Sequence, residues 1–141
     1  MKEQTLLLIK PNATAQKHIG EIITIIERNG YDILKLRSFT FDLPLAHAFY
    51  AEHAGKEFFE RLINFMTSGM TVAALLEKEN AVADLRELVG DTYPERRKPG
   101  TIRAVYADNI TENAVHASDS PMHAKREIAL IFSETDPKER L

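Results

Sequence analysis

The stretch AVHASDSP, residues Ala114 to Pro121, decides how this chain is organised. Ser120-Pro121 is a strong helix start, a capping hydroxyl followed by the residue whose fixed φ suits a first helical turn. Ala124, Ile128 and Ile131 then recur at helical spacing. The segment AVHAS ahead of that start is therefore read as a short strand that feeds the helix, and the chain closes on a β-α pair.

Upstream of it, residues 91 to 112 read as an irregular loop carrying two prolines, one glycine and the run Arg96-Arg97-Lys98. A loop of that length in a compact domain is usually functional or partner-bound. Asn80 to Val89 is a helix with Val82, Leu85 and Leu88 on one side and Gly90 as its stop. Before it, MTVAALL (Met70 to Leu76) is an apolar strand, preceded by a helix marked by Phe58, Leu62 and Phe65 that ends at Ser68-Gly69. Asp42 with Pro44 opens another helix. DILKLRSFTF (Asp32 to Phe41) alternates Leu34 and Leu36 against Lys35 and Arg37, a half-exposed strand. Ile19, Ile22, Ile23 and Ile26 mark a helix closed by Asn29-Gly30, and TLLLI (Thr5 to Ile9) is a buried strand that delivers Lys10 to its end.

The order β-α-β-α-α-β-α-loop-β-α contains two split βαβ units. It predicts an α/β (α+β) ferredoxin-like βαββαβ sandwich, with helices packed on one side of the sheet, added helices and a long loop. The 141 residues fit one domain, with no internal repeat, so residues 1–141 are expected to fold as a unit. Lys plus Arg number 18 against 21 Asp plus Glu, a net charge of -3 that advertises no nucleic-acid surface. The absence of cysteine excludes disulfides and thiolate metal sites, and with no signal peptide or long apolar run a cytoplasmic protein is expected.

Among chemical motifs, Gly55-Lys56 runs into Glu57, so no P-loop is present, and the scattered glycines form no dinucleotide fingerprint. What remains is His116 beside Asn113, Ser118 and Asp119, with Glu127 on the following helix. Lys10, Arg86 and Arg103 could converge on one cleft suited to a polyphosphate, where a neutral imidazole could attack the terminal phosphorus through a covalent intermediate. Equally, Arg86 could be a solvated helix charge and Lys10 an edge charge, and spacing alone does not choose.

The segments LLLIKPNA, FYAEH, FFERLINFMTSG, PGTIRAVYAD, ENAVHASDS and REIALIF run through essentially the whole chain. In them the sequence resembles the nucleoside diphosphate kinases, whose active-site signature has an Asn three residues before the His and then a small residue, Ser and Asp. The resemblance implies transfer of the γ-phosphoryl group, mainly from ATP, onto nucleoside and deoxynucleoside diphosphates by a ping-pong route through a phosphohistidine. Mg²⁺ is implied as the cofactor, held mainly by the nucleotide phosphates and not by a protein metal site. His116 becomes the nucleophile, with Glu127, supported by Ser118, orienting its ring and Tyr50 close by. Lys10, Arg86, Thr92 and Arg103 would surround the phosphates, Phe58 with Leu62 would meet the base, and Asn113 with Lys10 the sugar hydroxyls.

Ala117 stands where glycine is commoner in the family, Met122-His123 replaces an acidic-plus-small pair, and Tyr93 stands where asparagine is common. The tail ending soon after SETDP is like that of short bacterial members, which implies a homo-oligomer, a tetramer favoured and a hexamer the alternative. Two other functional classes fit the sequence less well. RNA recognition on such a sheet needs a stacking pair that TVAALLE and DILKLRS do not offer, so no specific nucleic-acid partner and no membrane are expected. A catalytically dead scaffold sits poorly with intact His116, Lys10, Arg86, Arg103 and Asn113.

Overall fold

The computed structural model describes residues 1–132; the SETDP tail lies outside them. The elements are β1 (Lys2–Ile9), α1 (Pro11–Ala15), α2 (Ile19–Arg28), β2 (Asp32–Thr40), α3 (Leu43–Phe49), α4 (Phe59–Met66), β3 (Met70–Glu79), α5 (Ala81–Val89), α6 (Ile102–Tyr106), β4 (Val115–Ala117) and α7 (Pro121–Ile131). Single 3₁₀ turns occupy Ala51–His53 and Pro94–Arg96. The sheet has four strands in the order β2-β3-β1-β4, every neighbouring pair antiparallel. This is the ferredoxin-like arrangement of two split βαβ units.

The expectation of helices on one side of the sheet is corrected. Alternation along β1 sends Leu7 and Ile9 to one face and Leu6 and Leu8 to the other. Leu7 and Ile9 pack with Ile22 and Ile26 of α2 and Leu85 and Val89 of α5. Leu6 and Leu8 pack with Phe49 of α3, Ile63 and Met66 of α4, and Ile131 of α7. Both faces are therefore covered, and β1 can be apolar throughout its inner half because neither face meets water. Each fully buried Leu or Ile contributes about 1.5–3 kcal/mol relative to leaving it exposed.

Local signals explain the ends of the helices. The Asp42 carboxylate accepts from the Leu45 amide at 2.8 Å and caps α3, and the Ser120 hydroxyl accepts from the His123 amide at 3.1 Å and caps α7. Gly90 ends α5 at φ 91, and a Cβ there would stand 2.6 Å from the Thr101 hydroxyl, so both conformation and space require glycine. Two details depart from the sequence pattern. A register shift between Ile33 and Lys35 interrupts β2, an edge strand, and both Leu34 and Leu36 lie exposed while Ile33 and Phe39 turn inward. Residues 91 to 112 contain α6 and a 3₁₀ turn, because Thr101 supplies a cap, accepting from the Ala104 amide at 3.3 Å.

Candidate active site

The register of β4 places the histidine. Leu8 stands opposite His116, with Ile9 opposite Val115 and Leu7 opposite Ala117. Val115 and Ala117 fill the α2/α5 core, so His116 between them points to the other face, where its ring meets the edge of Phe49 with centroids 5.1 Å apart. Just upstream, Ala114 adopts φ 76 and the Val115 amide donates to the Asn113 carbonyl at 2.9 Å. This is a γ-turn with its central residue in a strained conformation, held because Ala114 is fully buried and its carbonyl accepts from the Lys10 amide at 2.8 Å. The turn aims Asn113 into the cleft while the strand aims His116.

Helix α7 supplies the partner. His116 Nε2 lies 2.8 Å from Glu127 Oε1, and the Ser118 hydroxyl donates to the same oxygen at 2.7 Å. Glu127 is 3% exposed and Ser118 fully buried. Burial acts to raise the Glu127 carboxyl, but the hydrogen bond and charge of His116, joined by Ser118 and His123, outweigh it and hold the group below the usual carboxylate range. An ionised carboxylate only accepts, so Nε2 is the donor of this bond, and in the neutral ring that tautomer leaves the lone pair on Nδ1.

Around this pair is a cleft of about 380 Å³. Of the residues singled out from the sequence, His116, Glu127, Tyr50, Lys10, Phe58, Leu62, Arg86, Thr92, Arg103 and Asn113 line it, and Ser118 sits behind Glu127. Lys10 is 4% exposed and donates to Asn113 Oδ1 at 2.9 Å; burial, with Arg103 adding to it, pushes its ammonium down to about 7. Arg103 donates to the carbonyls of Gly90 at 2.8 Å and Val115 at 3.0 Å, and reaches the Thr92 hydroxyl at 3.4 Å. Burial and then the Arg86 and Arg97 guanidiniums lower it to about 10, which leaves it cationic near neutrality. Arg86, half exposed at the cleft, is ion-paired with Asp119 at 2.5 Å. Phe58 stays 45% exposed while its neighbour Phe59 packs into the core, so of the two it is Phe58 that offers a ring face. The Tyr50 hydroxyl is buried with no hydrogen-bond partner among the described residues, and burial followed by the Glu127 charge pushes its pKa strongly upward, so it is a neutral donor.

Sequence reasoning passed over Phe49, which supports the ring of His116, Ile110 and Thr111, which line the wall beside Asn113, and Glu52 and His53, which also line the cleft; it named Asp119 beside His116 but not its hold on Arg86. The apolar spacing of α3 was the one available signal, for Phe49. Among the described residues, Glu52, Asp119 and His123 are one group whose potential ligand atoms lie within 4.8 Å of one another, at the rim. A hard divalent cation arriving on phosphate oxygens would find carboxylate oxygens of Glu52 and Asp119 at the cleft, the latter shared with Arg86, and the chain has no thiolate. Among the described residues no helix is long and apolar enough to cross a membrane.

Comparison with known proteins gives the same answer from three sides. A family model described as "Nucleoside diphosphate kinase" matches residues 3–137. The chain is 52% identical over 136 residues to the nucleoside diphosphate kinase of Actinobacillus pleuropneumoniae serotype 5b, covering 96% of this chain and 99% of that one. It is 45% identical to that of Methanocaldococcus jannaschii, covering 96% and 97%. Among solved structures, the Aquifex aeolicus nucleoside diphosphate kinase superposes with a TM-score of 0.91 at 39% identity over 95% of this chain and 97% of that chain. The Halobacterium salinarum nucleoside diphosphate kinase, solved in complex with CDP, gives 0.91 at 36% identity over 95% and 90%.

Proposed function

The chain belongs to the nucleoside diphosphate kinase family, which moves a phosphoryl group between nucleoside triphosphates and diphosphates, and from that premise we propose how its residues divide the work. The observation that carries the proposal is the His116–Glu127–Ser118 relay at the bottom of a cation-lined cleft. His116 is the nucleophile. The Nδ1 lone pair attacks the γ-phosphorus, the bond from phosphorus to the bridging oxygen breaks, and the electron pair leaves on the diphosphate. The Nε2 proton stays on the ring against Glu127, whose negative charge offsets the positive charge that the ring gains. In the second half an oxygen of the incoming diphosphate attacks the phosphorus, the P–N bond breaks and its electrons return to Nδ1.

Arg86 and Arg103 stabilise charge on the transferring group, with Thr92 and Lys10 beside them, and Tyr50 donates from the wall. Phe58 and Leu62 hold the base, and Lys10 with Asn113 the sugar hydroxyls. The family is a nucleotide-binding kinase that generally needs a divalent metal. We assign Mg²⁺, which supplies charge neutralisation on the phosphates that carry it, with Glu52 and Asp119 the protein oxygens within reach of the rim. CDP bound to the halophilic relative supports a nucleotide in the corresponding cleft here. ATP is the main donor, residues 1–141 act as one domain in the cytoplasm, and the protein works as a homo-oligomer, a tetramer in preference to a hexamer. The test is direct: incubation with ATP and Mg²⁺ followed by GDP should yield GTP, and no GTP would overturn the reading.

A further inference from the structure

We propose that Arg97 is a positioning residue for nucleotide binding. Its single guanidinium fastens together the two loops that make one wall of the cleft. Thr92 and Tyr93 line the cleft from the loop after α5, and Ile110, Thr111 and Asn113 from the loop after α6. Loops of this kind are held by whatever receives their backbone polar groups. Arg97 Nε donates to the Asp91 carbonyl at 3.0 Å, and Nη2 donates to the carbonyls of Thr92 at 2.8 Å and Asn109 at 3.1 Å. One half-buried cation thus spans both loops.

The other tethers leave this one decisive. The second loop is pinned at its far side, where Asp108 accepts from Asn12 and from Gln16, each at 2.9 Å, and Asn12 also donates to the Glu112 carbonyl at 3.0 Å. Among the described residues the first loop has no equivalent at Thr92: the Arg103 contact to its hydroxyl is 3.4 Å, long for a hydrogen bond, against 2.8 Å from Arg97 to its carbonyl. Arg97 therefore transfers the firm anchorage of the second loop to Thr92. A planar fork with several donors can meet three carbonyls at once, whereas the ammonium of a lysine is a point charge without that fixed fork. What Arg97 fixes is the spacing between a residue at the phosphates and the loop that carries Asn113, so its effect falls on binding and not on the transfer step.

The inference rests on the reading of Thr92 and Asn113 as nucleotide contacts, and the experiment separates the two. Steady-state kinetics of the full chain with ADP or GDP as the varied acceptor are compared for the wild type, Arg97→Lys, Arg97→Gln, Thr92→Ala and Asn113→Ala. Both Arg97 variants should raise KM roughly tenfold, as expected for lost charge-assisted hydrogen bonds and a loosened wall, with kcat within about twofold. Lysine, which keeps the charge, should not rescue. A wild-type KM in Arg97→Lys, or a fall in kcat larger than the rise in KM, overturns the staple. If Thr92→Ala and Asn113→Ala raise KM and the Arg97 variants do not, the staple fails while the site reading stands. If none of the four raises KM, the site reading falls and the staple falls with it.

Discussion

Replacing Glu127 separates the charge of the relay from its geometry. One oxygen of this carboxylate accepts from both His116 Nε2 at 2.8 Å and Ser118 at 2.7 Å, and the residue is 3% exposed, so solvent cannot take over either bond. Glu127→Gln keeps an acceptor oxygen in place and removes the charge. A hydrogen bond to a charged group contributes about 1.5–3 kcal/mol and a neutral one about half of that, so phosphorylation should slow by about tenfold. Glu127→Ala also strands the Ser118 hydroxyl and releases the ring to the tautomer with the proton on Nδ1. A combined loss of about 3–4 kcal/mol slows transfer by roughly 10²–10³-fold. Rapid-quench measurement of enzyme phosphorylation by saturating ATP·Mg²⁺ reads both rates. Nucleotide affinity should change by less than about threefold, because the lost contact is made to His116 and not to the ligand. An alanine variant that phosphorylates within about threefold of the wild type would refute the orienting role.

Lys10 carries a depressed pKa of about 7 against 10.5 for the unfolded chain, so between these values the unfolded state binds more protons and stability rises with pH. Chemical denaturation from pH 7 to 10 should show that rise, and Lys10→Met should lack it. An anionic nucleotide favours the charged ammonium, so calorimetry of ADP binding at pH 8 in buffers of different ionisation enthalpy should register proton uptake that Lys10→Met abolishes. Stacking on Phe58 tolerates any base at ~1–3 kcal/mol, so the four common triphosphates should react with specificity constants within one to two orders of magnitude. A 3′-deoxy analogue should suffer more, because the bonds of the hydroxyl to Lys10 and Asn113 are lost; sharp base selection, or indifference to the hydroxyl, would show these roles to be wrong. Gly90→Ala forces positive φ on a side chain that meets Thr101 at 2.6 Å, and should cost more than about 1 kcal/mol in thermal melts. KM should rise with it, since the Gly90 carbonyl holds Arg103.

The position of His116 was legible because Ser120-Pro121 forces a helix and so a strand before it; strand alternation then orients the ring. The chemistry of Lys10, Arg86, Arg103 and Glu127 came from the family resemblance, since nothing in their spacing separates a phosphate cradle from ordinary surface charge. The two-sided helix layer had a signal that went unread: TLLLI is apolar at successive positions, the mark of a strand buried on both faces. Arg97 left no such mark, because it acts on backbone carbonyls, which every residue type carries. The γ-turn at Ala114 was equally hidden, since alanine rarely adopts positive φ and only fixation by the surrounding structure explains it. At Leu34 the register shift overrode an alternation that pointed inward.

The proposed mechanism requires the phosphoryl group to pass through Nδ1 of His116. The wild-type chain should be treated with ATP·Mg²⁺ alone, desalted, and analysed by intact mass and peptide mapping beside His116→Ala. One phosphoryl group should be found, on His116, stable to alkali, lost in acid and discharged on addition of GDP, and the variant should remain unlabelled while still binding ADP. A label that persists in His116→Ala, or that maps to a serine, would contradict the account.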